Sequence, residues 1–272
     1  MRVLSWNTAK KLAKVELQAR YIKSHNADII ALQEILPSTD VGFKKAMRGD
    51  YPYSVSSFDL ADDKTALTKK RMFGQIILSK FPLVGLDPKA FKIPWTERVL
   101  SVEANTPYGL IDVHTTHIPP GSSNGWTKIE MLNGIVDYFR GPHRNAQILC
   151  GDFNTPKDEN FENGIITFGQ RLNNQGRAVL KNSFRGGLGY DWDMGERSLF
   201  KTNDTYKLRD LFREQNPNDY TAFSWQFTRK GKIFRTRFDH IFADTKLTCS
   251  NCFYANTKNS LSDHSPIVAD FK

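Results

Sequence analysis

Short apolar runs recur along the chain, and each is closed by glycine, proline or a polar residue, as buried strands usually are. The runs that predict strands are RVLSW, DIIALQE, YSVSSF, FGQIILS, RVLSVEA, GLIDVHTTH, AQILCGD, AFSWQFT, FDHIFA and SPIVADF. Helical spacing of apolar residues predicts three helices, in KKLAKVELQARYIKSHNA, WTKIEMLNGIVDYFR and KLRDLFREQ. Because the chain opens with a strand, a helix and a strand and continues mostly with strands, the pattern predicts a mixed α/β fold.

The segment after Pro156 breaks this pattern. Residues from about 157 to 206 are rich in Gly, Asn and Asp, and FRGGLGYDWDMGE is their least regular part. A loop this long inside a compact domain is usually functional or mobile, so we predict a long irregular loop region there. With no internal repeat, low-complexity tract or linker-like break, the sequence favours a single domain over residues 1–272.

Composition and the absence of certain apolar segments indicate the kind of binding partner and the cellular compartment. The 272 residues are 39% hydrophobic, enough for a sizeable core, and their formal charge of +9 favours an anionic partner such as nucleic acid or a phosphorylated surface. No signal-peptide pattern opens the chain, and no apolar run approaches the roughly 18 residues of a membrane span. We therefore expect a cytoplasmic protein without a membrane segment and, since nothing indicates a protein partner, a monomer.

The cysteines offer one candidate motif. Cys249 and Cys252 form the spacing CSNC, which could supply half of a tetrahedral zinc site or a redox pair. The one other cysteine, Cys150, stands alone, so no second pair completes a zinc site. We expect a structural or incidental role for this motif.

Polar side chains stand at the ends of several predicted strands. They are Asn7 after LSW, Glu34 after IALQ, His117 at the end of GLIDVHTTH, Asp152 and Asn154 after ILC, and Asp263 and His264 before SPIVADF, while Asp239 lies within RFDHIFA. Asp and Asn also close strands in Asx turns that carry no chemistry. Five strand ends that share such groups nevertheless favour a functional site at the rim of a sheet.

These groups suit metal-assisted attack on a phosphate ester. Mg²⁺ is typically held by one or two protein carboxylates together with water and substrate phosphate. Glu34 and Asp263 could fill that role. We therefore predict Mg²⁺ as the cofactor, with Mn²⁺ as a substitute.

In-line hydrolysis also needs an oriented water and stabilisation of charge on the phosphoryl oxygens. Asp152, Asn154 or His264 could orient and deprotonate the water, and Asn7 and His117 could stabilise the charge. A serine nucleophile is disfavoured because no G-x-S-x-G motif occurs, and no GxxxxGK[ST] phosphate loop is present.

Six short motifs, LSWN, ALQE, TTH, GDFN, RFDHIF and SDHSP, resemble the endonuclease/exonuclease/phosphatase superfamily in this order along nearly the whole chain. The resemblance implies a DNase I-like, four-layered α/β sandwich of two packed mixed sheets with outer helices and a site along one edge. It also implies that Glu34 binds the metal, that His264 is the catalytic histidine and that Asp239 holds it. Asp152 and Asn154 match the pair that orients water and phosphate.

Within the superfamily, the segments LRDLFREQNPNDYTAFSWQFTRKGK, TRFDHIF and GDFNTPKDENFENG resemble the exonuclease III and apurinic endonuclease branch. The N-terminal motifs depart from that branch, with Ala9 and Lys10 in WNTAKKL and Leu36 in LQEIL. The strand end THIPP is more similar to the histidine-bearing nuclease, deadenylase and phosphatase branches. Apurinic-site specificity therefore stays open.

Several residues are candidates for contact with the substrate. Arg98 and Lys128 stand where family members often place phosphate-binding cations, and Trp225 could stack on a base or fill the core. The run RKGKIFRTR, with Arg229, Lys230 and Lys232, is either a phosphate-contacting hairpin or a solvated one.

The leading prediction is a Mg²⁺-dependent nuclease that cleaves phosphodiester bonds of nucleic acid, with DNA favoured. The alternative is a phosphatase or phosphodiesterase that acts on inositol phosphates, phospholipids or small nucleotides. A non-catalytic binding module is disfavoured because the catalytic set is intact. The sequence leaves DNA against RNA, and endonuclease against exonuclease action, open.

Overall fold

A computed structural model describes residues 1–60, 67, 71–203, 205–256 and 260–272 of the chain. Two six-stranded mixed sheets form its centre. In spatial order, sheet one consists of β19 (Cys249–Tyr254), β20 (Ile267–Phe271), β1 (Arg2–Asn7), β2 (Ile29–Ile35), β4 (Gly74–Ser79) and β3 (Tyr53–Ser56). Sheet two consists of β15 (Arg209–Asp210), β18 (Asp239–Ala243), β8 (Ala146–Asp152), β7 (Gly109–His117), β6 (Val99–Thr106) and β5 (Leu83–Gly85).

The two sheets pack face to face, and helices cover their outer faces. Apolar side chains of both sheets, such as Val3 and Ile77 from sheet one and Val113 and Ile148 from sheet two, share one core. The helices are α1 (Val15–Ser24), α2 (Pro37–Met47), α3 (Ser57–Leu60), α4 (Gly121–Asn124), α5 (Thr127–Phe139), α6 (Gly189–Ser198) and α7 (Leu211–Gln215).

Helices α1 and α2 pack on sheet one in a second core, and α5 and α6 pack on sheet two in a third. The layers are thus helices, sheet, sheet and helices, and the predicted four-layered α/β sandwich is confirmed. Within the described part of the chain, no helix is both long enough and apolar enough to span a bilayer.

The segment from 157 to 206 is more regular than predicted. It carries three short hairpins, followed by α6, which lies within the stretch that looked least regular. The hairpin strands are β9 (Asp158–Asn160), β10 (Gly164–Ile166), β11 (Gln170–Leu172), β12 (Ala178–Leu180), β13 (Ser183–Phe184) and β14 (Gly187–Leu188).

The glycines that suggested a loop instead allow close packing of α6. A Cβ at Gly195 would lie 2.5 Å from Ile129 Cγ2, so α6 approaches α5 more closely there than a larger residue would allow. The prediction of a long irregular loop region is therefore wrong for these elements, and residue 204 lies outside the described residues.

Other predicted elements shift at their ends. The helix predicted in KLRDLFREQ begins only at Leu211, where the Asp210 side chain accepts a hydrogen bond from the backbone N–H of Arg213. Helix α2 was not predicted, because Pro37 and Gly42 mask its periodicity. Strand β19, with the polar sequence CSNCFY, was not predicted either, and it is held by pairing with β20.

The cysteines are free and buried. Burial raises the pKa of the Cys249 and Cys252 thiols, so both are held protonated within β19. Burial also raises the pKa of Cys150, to about 12. These thiols are poor nucleophiles in this state, which fits the expected structural role of the CSNC motif.

Within sheet two, a buried polar chain crosses strands β6, β7 and β8 at His114, in β7. His114 Nε2 donates to Gln147 Oε1 at 2.9 Å, so the neutral ring accepts a hydrogen bond at Nδ1 from the Ser101 hydroxyl at 2.7 Å. Burial lowers the pKa of His114 from 6.5 to about 4. Protonation would destroy the acceptor and leave a charge in the core.

We expect stability to fall between pH 6.5 and about 4 because of His114. In that window the folded chain binds fewer protons at this site than the unfolded chain does, so acid favours unfolding. The loss should reach a few kcal/mol at the acid end of the window. Urea unfolding of the parent and of His114→Gln at several pH values isolates this contribution, and identical pH slopes in the two proteins would contradict it.

Candidate active site

The candidate site lies where the central strands of the two sheets end at the same edge. In sheet one, β20, β1 and β2 are neighbours, and in sheet two, β18, β8 and β7 are neighbours. At this edge sheet one contributes Asn7 from β1 and Glu34 from β2, with His264 in the segment just before β20, and the three strands of sheet two contribute Asp239, Asp152 and His117. The predicted polar groups at strand ends therefore meet in space.

The GDFN stretch combines a turn with a site residue. Gly151 has φ +135°, and a Cβ there would lie 2.0 Å from the Thr116 carbonyl oxygen, so only glycine fits. Asp152 Oδ1 accepts from the Asn154 backbone N–H at 2.9 Å, which is an Asx turn. The Asn154 amide donates to the Ile118 carbonyl at 2.9 Å. This turn leaves the other oxygen of Asp152 facing the site.

Asp152 Oδ2 is the centre of the cluster. Asn7 Nδ2 donates to it at 2.9 Å and lies 3.3 Å from Glu34 Oε1. His117 Nε2 is 3.7 Å from Asp152 Oδ2, and His264 Nε2 is 3.9 Å from the same atom. Burial, together with the charge of Asp239, raises the pKa of Asp152 to about 7.

His264 is fixed by a buried carboxylate and by its own backbone. Its Nδ1–H donates to Asp239 Oδ2 at 2.7 Å, which directs Nε2 towards Asp152. Its backbone N–H donates to Ser262 Oγ, and its carbonyl accepts from the Trp6 indole. Burial alone would lower the pKa of His264, but the charges of Asp239 and Asp152 raise it to about 10. The ring therefore carries a proton at both nitrogens near neutral pH.

Arg98 acts on His117 and is not open to substrate. The buried Arg98 guanidinium donates to His117 Nδ1 at 2.9 Å, so a neutral His117 must carry its proton on Nε2. Burial and the charge of Arg98 hold the pKa of His117 well below its ordinary value. His117 Nε2–H thus points towards Glu34 Oε1 and Asp152 Oδ2, each at 3.7 Å. The prediction of Arg98 as a substrate contact is corrected to a role in orienting His117.

Lys128 is likewise buried, with a side chain only 1% exposed. Its ammonium pairs with Glu196 of α6 and donates to the Asn154 carbonyl at 2.7 Å. Glu196 also accepts from the Phe168 backbone N–H at 2.7 Å. The predicted contact of Lys128 with substrate is therefore wrong in this conformation. Lys128 instead supports the GDFN turn through its hydrogen bond to the Asn154 carbonyl. The pairing of Lys128 with Glu196 was not predicted from the sequence.

Glu34 has the features of a metal ligand. It is a non-glycine residue at φ +55°, at an irregularity in the pairing of β2 with β4, and such strain is retained mainly at functional positions. Its carboxylate is 19% exposed, and among the described residues its one ion-pair neighbour is the neutral His117. An anionic oxygen without a cation beside it suits Mg²⁺, which takes few protein ligands and keeps several waters.

Asp263 is placed differently from Glu34. It is exposed, and its Oδ2 accepts from the Trp225 indole N–H at 3.2 Å. Ligand atoms of Asp152, Asp239 and His264 lie within 4.8 Å of one another and could also hold a metal ion. The short hydrogen bond between His264 Nδ1 and Asp239 occupies one of those atoms. Binding of one metal ion by Glu34 and Asp263 together stays a prediction.

The chain around Trp225 joins the site to a hairpin that projects from it. Strands β16 (Trp225–Arg229) and β17 (Lys232–Thr236) form this hairpin, called here the basic hairpin. Trp225 forms an isolated bridge with His264, and the hydroxyl of Ser224 accepts from the backbone N–H groups of Phe238 and Asp239. The root of the hairpin and His264 are therefore held by one set of contacts.

The family model for the endonuclease/exonuclease/phosphatase family matches residues 4–264. This match includes all six residues of the cluster and both sheets except β20 and the start of β1. The chain therefore belongs to the endonuclease/exonuclease/phosphatase family, as its six motifs indicated.

Solved structures from that family share the fold. Over all of this chain and 99% of its own, an AP endonuclease from Archaeoglobus fulgidus is similar, with a TM-score of 0.67 and 18% identity. Zebrafish (D. rerio) TDP2 complexed with single strand DNA product is similar over 100% of this chain and 98% of its own, with a TM-score of 0.67 and 15% identity. The 3' phosphatase NExo from Neisseria, bound to product DNA hairpin, covers 100% and 99%, with a TM-score of 0.64 and 16% identity. No curated protein sequence matches this chain.

We expect the buried pair of Lys128 and Glu196 to stabilise the fold. Glu196→Gln would leave the Lys128 ammonium buried without an anion, and should lower the free energy of unfolding by about 3 to 5 kcal/mol. Replacing both residues with apolar ones, Lys128→Met with Glu196→Leu, should recover much of that loss. Urea unfolding measures both variants, and a loss below about 1 kcal/mol in Glu196→Gln would contradict the expectation.

Proposed function

We propose that this protein is a Mg²⁺-dependent phosphodiesterase that hydrolyses nucleic acid, with DNA as the favoured substrate. The observation that carries the proposal is the arrangement around Asp152 Oδ2, which Asn7, His117 and His264 face from three sides. Such a cluster combines a carboxylate that can accept a proton with three donors that can stabilise negative charge. Hydrolysis of a phosphate ester needs both functions.

The residues would divide the reaction between them. Asp152 would accept the proton of the attacking water, with Asn154 holding the turn that places it. Protonated His264, held by Asp239, and the N–H groups of Asn7 and His117 would bind phosphoryl oxygens. Glu34 would hold Mg²⁺, with Asp263 as a further candidate ligand; bound Mg²⁺ would neutralise charge that develops on the phosphate.

The basic hairpin favours a polymeric anion as the substrate. Its tip carries Arg229, Lys230 and Lys232, and among the described residues none of these three pairs with a carboxylate. Structural neighbours include proteins bound to DNA, which supports the same substrate class. A small phosphate ester, such as an inositol phosphate or a nucleotide, would not contact cations at the end of a projecting hairpin.

We expect Glu34→Gln to weaken Mg²⁺ binding while the fold is kept. The substitution removes a negative charge that forms no ion pair with a lysine or arginine among the described residues. The loss in Mg²⁺ affinity should reach or exceed the roughly 10- to 100-fold cost of losing a supporting contact at a metal site. Isothermal titration with Mg²⁺ measures it, and thermal unfolding checks the fold.

Glu16→Gln is the matched control, because it removes the same charge from an exposed position of α1. Equal Mg²⁺ affinities for Glu34→Gln and this control would remove Glu34 from the metal site.

We expect replacement of Arg229, Lys230 and Lys232 by serine to weaken polynucleotide binding uniformly across sequences. Each lost phosphate contact should flatten the slope of log K against log salt by about 0.7 to 0.9. Lys45→Ser with Arg48→Ser, at the end of α2, serves as the control for a general loss of positive charge. An unchanged affinity and salt slope in the triple variant would favour a small phosphate ester as the substrate.

A further inference from the structure

Four aromatic rings form a continuous stack along the basic hairpin, called here the aromatic stack. Trp225 lies over Phe238 with ring centroids 5.2 Å apart and over Phe227 at 5.0 Å, and Phe227 lies over Phe234 at 4.9 Å. The ring planes are tilted by only 14 to 30° in these pairs. The stack begins beside His264, whose ring centroid is 6.3 Å from that of Trp225. It therefore runs from the candidate active site outwards.

Exposure rises along the stack. Phe238 is 7% exposed at the root, whereas Phe227 and Phe234 are 38% and 45% exposed further out. The basic hairpin forms its own two-stranded sheet and pairs with no other described strand. Phenylalanine residues are usually buried, and here two of them are exposed.

The register places the rings and the cations on one face. Phe227 pairs with Phe234, and the next pair on the same face is Arg229 with Lys232. Like charges directly opposite each other destabilise a hairpin, so stability of the hairpin alone does not account for this pair. Lys230 adds a third cation at φ +50° in the turn. An anion bound across the tip would offset this repulsion.

We propose that the aromatic stack binds unpaired bases of a single-stranded nucleic acid, while the cations at the tip contact its phosphates. The inference rests on the proposed function and narrows its substrate to strands with unpaired bases. Every base has a π-face that can stack on an exposed ring, whereas the bases of a duplex are already stacked on one another. The ligand that matches both the aromatic rings and the cations of this face is thus a polyanion that carries planar rings.

The test compares strands that have bases with strands that lack them. Affinities are measured in EDTA, which prevents metal-dependent turnover, for a single-stranded DNA oligonucleotide, its blunt duplex and a sugar–phosphate strand of equal length without bases. We expect the parent protein to prefer the base-bearing single strand over the strand without bases by roughly 5- to 100-fold. Phe227→Leu with Phe234→Leu should abolish most of this preference, because leucine keeps apolar packing but has no π-face.

Two further variants separate stacking from loss of the hairpin. Ile233→Ala is the matched control, since Ile233 is 60% exposed on the opposite face of the same strand and should leave the preference unchanged. Phe234→Trp keeps a ring and should retain the preference. The salt slope of the double leucine variant should equal that of the parent, which shows that the cations at the tip remain in place.

The outcomes separate this inference from the proposed function. A parent protein that binds strands with and without bases equally, or a double leucine variant that keeps the full preference, would overturn the stacking inference even if the protein hydrolyses DNA. Base preference that depends on Phe227 and Phe234, without Mg²⁺-dependent hydrolysis of any strand, would support stacking and overturn the proposed function.

Discussion

The apolar contact between the two sheets is the interaction on which the candidate site depends. Five of the six cluster residues lie in five strands and His264 lies just before β20, and none of these elements could hold its polar group in place alone. Packing of residues such as Val3 and Ile77 against Val113 and Ile148 fixes one sheet over the other, and hence the distance between their edges. A shift of either sheet would separate Asn7 and His264 from Asp152 and Asp239.

Packing of the two sheets also determines the electrostatic environment of the cluster. Asp152 and Asp239 are buried at adjacent positions of β8 and β18, where burial would otherwise favour neutral carboxyl groups. The cationic His264 ring lies beside both, and Asn7 supplies a further donor to Asp152. The cationic ring thus offsets part of the negative charge of the two buried carboxyl groups. Glu34 stands at the more open side of the cluster, where an ion could enter.

The sequence predicted the site better than the segments around it, for a physical reason. Residues such as Asp152 and His264 stand at the ends of strongly apolar strands, so local pattern alone locates them at a sheet edge. Lys128 and Arg98 could not be placed in this way, since their surroundings are set by partners distant in sequence, Glu196 and His117. Helix α6 was not predicted because glycine in a sequence usually indicates a loop. Gly195 instead allows close packing against Ile129, a contact that the local sequence does not reveal.

The cluster and the basic hairpin differ in how firmly the fold holds them. The cluster is buried, hydrogen-bonded and held by strands of both sheets, which suits groups that must keep a fixed geometry. The outer part of the basic hairpin is exposed and pairs with no other described strand, so residues at its tip can vary without disturbing that geometry. Ser224 links the two, because its hydroxyl accepts from the backbone of Phe238 and Asp239 at the root of the hairpin. A ligand held on the hairpin would thus be positioned relative to Asp239, and through it relative to His264.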